Sequence, residues 1–142
     1  MSTRISFCQE LHLPVERTRA FFSDVRNLRK ISPAFPRMEI GFEDPRITKG
    51  AEFRIQLWFG VGALTWISRI ETVGSDGSFT DTFSGRLFHH WRHTHRFVPS
   101  GGGTIVLDEI AYRPAWWFAP FAGGFVRLLF IYRRRLLPRA IR

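Results

Sequence analysis

The stretch Trp91-Arg92-His93-Thr94-His95-Arg96-Phe97 alternates between two sets of side chains. Successive side chains of a strand point to opposite faces of a sheet, so this pattern predicts a strand with two different faces. One face carries Trp91, His93, His95 and Phe97, and the other carries Arg92, Thr94, Arg96 and Val98. We expect the arginine face to meet solvent, and the aromatic and histidine face to point into the protein.

The segment up to residue 112 predicts a hairpin partner for this strand. A glycine-rich loop at residues 100–103 leads into a second strand, in which Asp108 and Tyr112 share one face. A short loop brings that face within cross-strand reach of His93 and His95. We therefore predict that two histidines, one carboxylate and one phenol meet inside the protein.

The rest of the chain follows an α+β order. Strands are predicted at residues 5–13, 37–42, 51–59, 63–73, 78–84, 89–99 and 104–112. Two short helices follow the first strand, at residues 15–22 and 24–30, and Pro14 stands at the position that proline favours at a helix start. One long helix closes the chain.

This C-terminal helix is predicted to be amphipathic. Residues 115–132 are almost wholly apolar and precede three arginines, which is close to the pattern of a membrane-spanning helix. Arg127 lies inside the run, where a mid-membrane arginine costs about 2.5–3.5 kcal/mol, and Pro120 interrupts its first half. A 4-3-4-3-4 spacing instead places one apolar stripe on a single helical face, formed by Phe118, Ala122, Phe125, Leu129, Tyr132 and Leu136. We expect this stripe to lie on a large apolar surface.

Together these elements predict a single α+β domain over residues 1–142. A curved antiparallel sheet of about seven strands would wrap around the long C-terminal helix, with the two short helices closing one end. Such a sheet leaves a cavity between itself and the helix. Aromatic residues make up 15% of the chain and 15 of them are Phe, so we expect an aromatic lining that includes Trp66, Trp91, Phe97 and Phe125.

Several motifs occur in a characteristic order. They are Pro14-Val15-Glu16, Ile31-Ser32-Pro33, Phe79-Thr80-Asp81, Trp91-x-His93-x-His95-x-Phe97, Gly103-Thr104 with Asp108 and Tyr112, and Leu129-Phe130-x-Tyr132-Arg133. This series resembles the START-like, or helix-grip, superfamily, whose bacterial members are often labelled polyketide cyclase/dehydrase or lipid-transport proteins. Residues 85–88, Gly-Arg-Leu-Phe, depart from the Gly-Pro-Phe of comparable members. The resemblance implies the helix-grip fold and a pocket for a small, largely apolar molecule, but it implies no single reaction.

Four interpretations of the cluster formed by His93, His95, Asp108 and Tyr112 remain open. These side chains satisfy one another's buried polar atoms, or they orient the polar end of a bound ligand. Alternatively, they perform acid–base chemistry of the cyclase or dehydratase type, with Asp108 fixing a histidine tautomer. A metal site needs a third ligand beside the His-x-His pair, and we find none in the sequence. We therefore predict no metal and no cofactor, and we expect a small hydrophobic or amphipathic ligand (lipid, polyketide or isoprenoid-like).

The charge distribution narrows the range of partners. The chain carries 21 basic and 12 acidic residues, a net charge of +9, but six arginines and no acid lie beyond residue 113. Most of the excess therefore belongs to the outer face and end of the C-terminal helix. A nucleic-acid interface needs basic and aromatic side chains on one exposed face, so we predict no nucleic-acid partner. The arginines leave open a peripheral contact with an anionic membrane or a partner protein.

A single cysteine, Cys8, and a polar N-terminus lead us to expect a cytoplasmic protein.

Overall fold

A computed structural model describes residues 2–141, and its elements follow the predicted order. The strands are β1 (Thr3–Leu11), β2 (Arg37–Gly41), β3 (Glu52–Trp58), β4 (Ala63–Val73), β5 (Phe79–Phe83), β6 (Phe88–Ser100) and β7 (Gly103–Pro114). The helices are α1 (Val15–Phe22), a 3₁₀ helix (Val25–Ile31) and α2 (Ala119–Ala140). The predicted strands and helices are all present, with ends that differ by a few residues.

The strands form one antiparallel sheet in the order β1-β7-β6-β5-β4-β3-β2. Strands β2 to β7 each pair with their neighbour in the chain, whereas β1 pairs with β7 at the far edge. The β6–β7 hairpin turns at Gly101 and Gly102, whose φ angles of 55° and 81° lie in the left-handed region that glycine adopts without steric penalty. The predicted α+β architecture, an antiparallel sheet with two short helices and a long C-terminal helix, is confirmed.

Helix α2 packs on the sheet through a buried stripe that shares only Ala122 with the predicted one. Its buried residues are Ala122, Val126, Phe130, Arg133 and Leu137. From the predicted stripe, Phe125 and Tyr132 are 36% and 45% exposed, so the predicted face was wrong for these residues. The two stripes lie side by side on the helix, and both are largely apolar. Hydrophobic spacing alone therefore could not tell which of them touches the sheet.

Two apolar clusters fix α2 to the rest of the molecule. The first half of the helix packs over β6 and β7, and its Phe130 stacks on Phe7 with ring centroids 4.4 Å apart. Near the other end, Leu137 joins a second cluster with Leu11 and Val15. Burying one such leucine contributes about 1.5–3 kcal/mol, so the helix is held at both ends.

The basic end of α2 is not wholly a surface feature, contrary to our expectation. Arg133 is only 9% exposed and faces the protein interior. The next residue, Arg134, is exposed and donates from Nη2 to the carbonyl oxygen of Cys8 at 3.1 Å. Among residues 2–141, no helix has an apolar stretch sufficient to cross a membrane.

Candidate functional site

A cavity of about 420 Å³ lies between the inner face of the sheet and α2. Aromatic side chains dominate its lining: Phe21, Phe22, Phe35, Phe53, Phe59, Trp66, Phe79, Phe83, Phe88, Trp91, Phe125 and Tyr132. Nine of the 15 phenylalanines belong to this set. The excess of phenylalanine in the composition therefore corresponds largely to the lining of one cavity.

The residues predicted to line the cavity divide into two groups. Trp66, Trp91 and Phe125 reach it, together with His93 and His95. Any role of these five side chains in binding stays a prediction.

The second group lies outside the cavity lining that residues 2–141 provide, and it consists of Phe97, Asp108 and Tyr112. Phe97 packs against Phe22 with ring centroids 4.9 Å apart, because α1 covers this end of β6. Tyr112 packs beside Trp91, at 6.3 Å between ring centroids, in the apolar cluster beneath α2. These three side chains support the site from behind instead of facing the cavity.

The polar part of the site is built on the two histidines of β6. Their rings stack with centroids 3.7 Å apart, and both side chains are buried. His93 shares a hydrogen bond of 2.7 Å between its Nε2 and Asp108 Oδ1. His95 shares one of the same length between its Nε2 and Asp81 Oδ2. The histidine pair therefore lies between two carboxylates.

The strand register explains this arrangement. In β5, Asp81 stands directly opposite His93, and in β7, Asp108 stands directly opposite His95. Both short hydrogen bonds run along the diagonals, from each carboxylate to the histidine two positions away. The direct neighbours are further apart: 3.9 Å from Asp81 Oδ2 to His93 Nδ1, and 3.6 Å from Asp108 Oδ1 to His95 Nδ1.

Asp81 is a site residue that our sequence analysis did not include. It lies in the Phe79-Thr80-Asp81 motif, but β5 is only five residues long and its place in the sheet is set by pairing with both β4 and β6. A signal was present, because Phe79, Asp81 and Phe83 alternate onto one face. A carboxylate among aromatic residues on an inward face is a candidate site residue.

Arg133 is the second such residue, and it comes from α2. Its Nη1 lies 3.9 Å from Asp108 Oδ1, and its guanidinium covers the Phe130 ring at 4.7 Å from the centroid. Nε and Nη1 of this side chain are buried and have no hydrogen-bond partner among residues 2–141. The sequence analysis treated Arg133 as part of a basic flank, although it lies three residues after Phe130 and four before Leu137, on the same buried face of the helix.

Burial and hydrogen bonding set the charges of this cluster. Burial and the neighbouring His93 lower the pKa of His95 to about 4. Burial alone would raise the pKa of Asp108, but the hydrogen bond from His93 and the interactions with both histidines and Arg133 together outweigh it and lower that pKa to about 2. For Asp81 too, burial acts to raise the pKa, but the hydrogen bond from His95 and the interactions with both histidines and Arg133 together lower it. Burial lowers the pKa of Arg133, an effect that both carboxylates oppose.

At neutral pH the cluster therefore holds two carboxylates, one guanidinium and an uncharged His95. Because an ionised Asp81 can only accept, His95 Nε2 carries the proton and Nδ1 is left as an acceptor. That Nδ1 is buried and has no hydrogen-bond partner among the described residues.

The arrangement can exchange protons with a bound molecule or hold a cation. Asp81, His93 and His95 present donor atoms within 4.8 Å of one another, so Asp81 supplies the third ligand that we did not find in the sequence.

Comparison with known proteins finds similar structures but no similar sequences. No protein-family model matches the sequence, and no curated protein matches it. A protein from Chromobacterium violaceum has a similar structure, with a TM-score of 0.77, 14% identity, and coverage of 97% of this chain and 96% of that one. The Zhui aromatase/cyclase from a Streptomyces species gives 0.71 at 12% identity, over 99% and 92% of the two chains. Norcoclaurine synthase from Thalictrum flavum, solved with dopamine and hydroxybenzaldehyde, gives 0.69 at 14% identity, over 96% and 87%.

These similarities extend over nearly the whole chain, at identities that establish shared architecture and not shared activity. They agree with the observed sheet order, with the two short helices after β1 and with the long helix across the inner face. The chain therefore has the helix-grip fold, which is the fold that the resemblance of its sequence motifs implied.

Proposed function

We propose that the chain binds a small, largely apolar molecule in the cavity beneath α2. The observation that carries this proposal is an aromatic-lined space of about 420 Å³ with ionisable groups gathered at one wall. Ligand pockets have volumes of about 300–1,000 Å³ and are mostly apolar, with a few polar groups that orient the ligand. An amphipathic molecule would place its apolar body among the phenylalanines and its polar group against Asp81, His93 and Arg133.

Lipids, polyketides and isoprenoid-like compounds are the proposed ligand classes, and flat aromatic or polyketide-derived molecules are favoured among them. Trp66 and Phe83 form a stacked pair in the lining, 5.1 Å between ring centroids, and such faces suit planar rings. Two similar structures are an aromatase/cyclase and a complex with dopamine and hydroxybenzaldehyde, both of which concern aromatic molecules. The proposal includes a cytoplasmic location, no nucleic-acid partner, and peripheral contact of the exposed arginines of α2 with anionic membranes.

An entrance for such a ligand lies where the lining is exposed. Phe35 and Phe59 approach edge to face at 6.1 Å on one side, and Leu128 and Tyr132 of α2 stand exposed in the same lining. Contiguous exposed apolar side chains commonly mark ligand-binding grooves. We propose that the ligand enters between these two pairs.

The proposal is tested with N-phenyl-1-naphthylamine, a neutral dye whose fluorescence rises in apolar surroundings. The protein should bind one dye molecule per chain. Ser68→Trp should abolish binding, because Ser68 lines the cavity opposite Phe53 in the sheet. The matched control is Ile67→Trp, which adds the same side chain to the exposed outer face of β4. Equal binding by both variants contradicts the proposal, and native mass spectrometry of fresh protein identifies any co-purified ligand class.

A second candidate function is acid–base catalysis of the cyclase or dehydratase type in the same cavity. The observation that favours it is the pairing of each imidazole with a carboxylate, which holds one tautomer and permits proton transfer. Ring opening of 5-nitrobenzisoxazole, an aromatic probe that needs only a positioned base, tests it. A rate that is lost in His93→Gln but kept in His90→Gln supports catalysis, and equal rates in the two variants contradict it.

A further inference from the structure

We propose that Asp81, His93 and His95 form a binding site for one divalent transition-metal ion at the polar wall of the cavity. The site would take a first-row ion such as Zn²⁺ or Fe²⁺. This inference goes beyond ligand binding, although it concerns the same cavity. Metal binding can be measured without any apolar ligand, so the two proposals succeed or fail separately.

The three donor atoms already lie close to a coordinating arrangement. Asp81 Oδ2 is 2.7 Å from His95 Nε2 and 3.9 Å from His93 Nδ1. Ligand atoms that each lie about 2.0–2.2 Å from one ion are separated from one another by roughly 3–3.6 Å. All three atoms lie within 4.8 Å of one another, so side-chain movements on the order of 1 Å would bring them around a common centre.

Asp108 has the position of an outer carboxylate that orients both histidines. Metal-bound histidines usually donate their other ring N–H to a carboxylate, which fixes the ring orientation. His93 already shares its Nε2 proton with Asp108 at 2.7 Å. For His95, binding an ion through Nε2 moves the ring proton to Nδ1, which faces Asp108 Oδ1 at 3.6 Å. The buried nitrogen that lacks a hydrogen bond would thereby gain a partner.

Access and charge also favour a cation on the Asp81 side. Asp81, His93 and His95 all line the cavity, so coordination positions not taken by the protein would face a bound molecule or water. Two carboxyl groups, Asp81 and Asp108, lie at this wall beside a single guanidinium, that of Arg133. Arg133 lies 3.9 Å from Asp108, and its positive charge directs a cation away from that carboxylate and towards Asp81.

The donor set selects the class of ion. Two imidazole nitrogens and one carboxylate oxygen suit Zn²⁺, Fe²⁺, Co²⁺ and Ni²⁺, whereas Mg²⁺ and Ca²⁺ prefer all-oxygen ligands. The one cysteine, Cys8, lies on β1 and is exposed, so the site offers no thiolate.

The experiment titrates tag-free, EDTA-treated protein with Co²⁺, followed by visible absorption, and with Zn²⁺ in competition. We expect one ion per chain and no response to Mg²⁺. His95→Gln and Asp81→Asn should each weaken Zn²⁺ binding at least 100-fold, and Asp108→Asn should weaken it by about 10–100-fold. Asp81→Asn keeps the shape of the side chain, so it can still test the proposal if the histidine variant does not fold.

The matched control is the double variant His89→Gln/His90→Gln, which removes two exposed histidines from the same strand. It should bind Zn²⁺ as the parent does. Absence of one-to-one binding overturns the proposal, as does binding that survives Asp81→Asn unchanged or disappears in the control. Dye binding measured in EDTA reports on the apolar cavity alone, so its loss would contradict ligand binding without bearing on the metal site.

Discussion

Acid should destabilise this protein well above the pH at which carboxylates usually titrate, because of His95. This side chain is 6% exposed and stacks on Phe79 at 4.1 Å between ring centroids. Burial and the adjacent His93 lower its pKa to about 4, against an ordinary value of 6.5. The protonated ring is therefore disfavoured in the folded state, while the unfolded chain accepts the proton freely.

The sign and size of the effect follow from this difference. Between pH 6.5 and 4 the unfolded state binds a proton at His95 that the folded state does not, so stability falls as pH falls. One proton corresponds to about 1.4 kcal/mol per pH unit, which gives a total loss on the order of 3 kcal/mol. The loss continues below pH 4, because the pKa of Asp108 is lowered to about 2.

All the charged groups that face His95 are included in this expectation. Asp81 of β5 and Asp108 of β7 are ionised and favour the protonated ring, whereas His93 of β6 and the burial itself oppose it. Arg133 of α2 lies near both carboxylates and helps to lower their pKa values, which keeps them ionised.

Urea unfolding of metal-free protein between pH 7.5 and 4.5, followed by tryptophan fluorescence, measures the effect. The free energy of unfolding should decline from about pH 6.5 downwards, and the decline should disappear in His95→Gln. The control His90→Gln, an exposed residue of the same strand, should keep it. A flat profile, or the same slope in His95→Gln, refutes the reasoning. If that variant does not fold, ¹⁵N NMR of the histidine rings measures the protonation state of His95 directly. We expect this ring to stay neutral at pH 5.

Three further predictions concern α2 and the start of β7. Leu137→Ala should cost about 2–5 kcal/mol in urea unfolding, because Leu137 is 1% exposed, whereas Leu128→Ala at a 55% exposed position of the same helix should cost less than about 0.5 kcal/mol. Gly124→Ala should raise stability by up to about 1 kcal/mol, since its added methyl group meets open space on a helix. Gly103→Ala should instead lower the melting temperature, because its Cβ would lie 2.5 Å from the backbone oxygen of Leu11.

The parts of the fold that the sequence predicted are those governed by local period and short loops. The alternation of β6 indicated which side chains point inward, because a sheet with one buried face tolerates no shift of a single residue. The glycine loop at 100–103 placed Asp108 beside the histidines, and the structure shows their 2.7 Å contact. Both inferences needed only neighbours in the chain.

The missed residues had weaker sequence signals, although Asp81 is as near to His95 in the chain as Asp108 is to His93. Asp81 reaches His95 only because β5 pairs with β6, and a five-residue strand gives little evidence of its face. Arg133 lies in a run of three arginines, of which one turns inward. The contact face of α2 was also predicted wrongly, because the helix carries two apolar stripes. One contacts the sheet and the other lines the cavity, and both have the same three- and four-residue spacing in the sequence.

A purely structural explanation of the polar cluster is hard to reconcile with its hydrogen bonds. Buried polar groups retained for stability are normally satisfied, and each unsatisfied one costs about 1–3 kcal/mol. Here His95 Nδ1 and two nitrogens of Arg133 are buried without partners among the described residues. Four members of the cluster, Asp81, His93, His95 and Arg133, also line an aromatic cavity, where apolar side chains would pack at no such cost. These observations support the proposal that the cluster holds a bound ion or polar group.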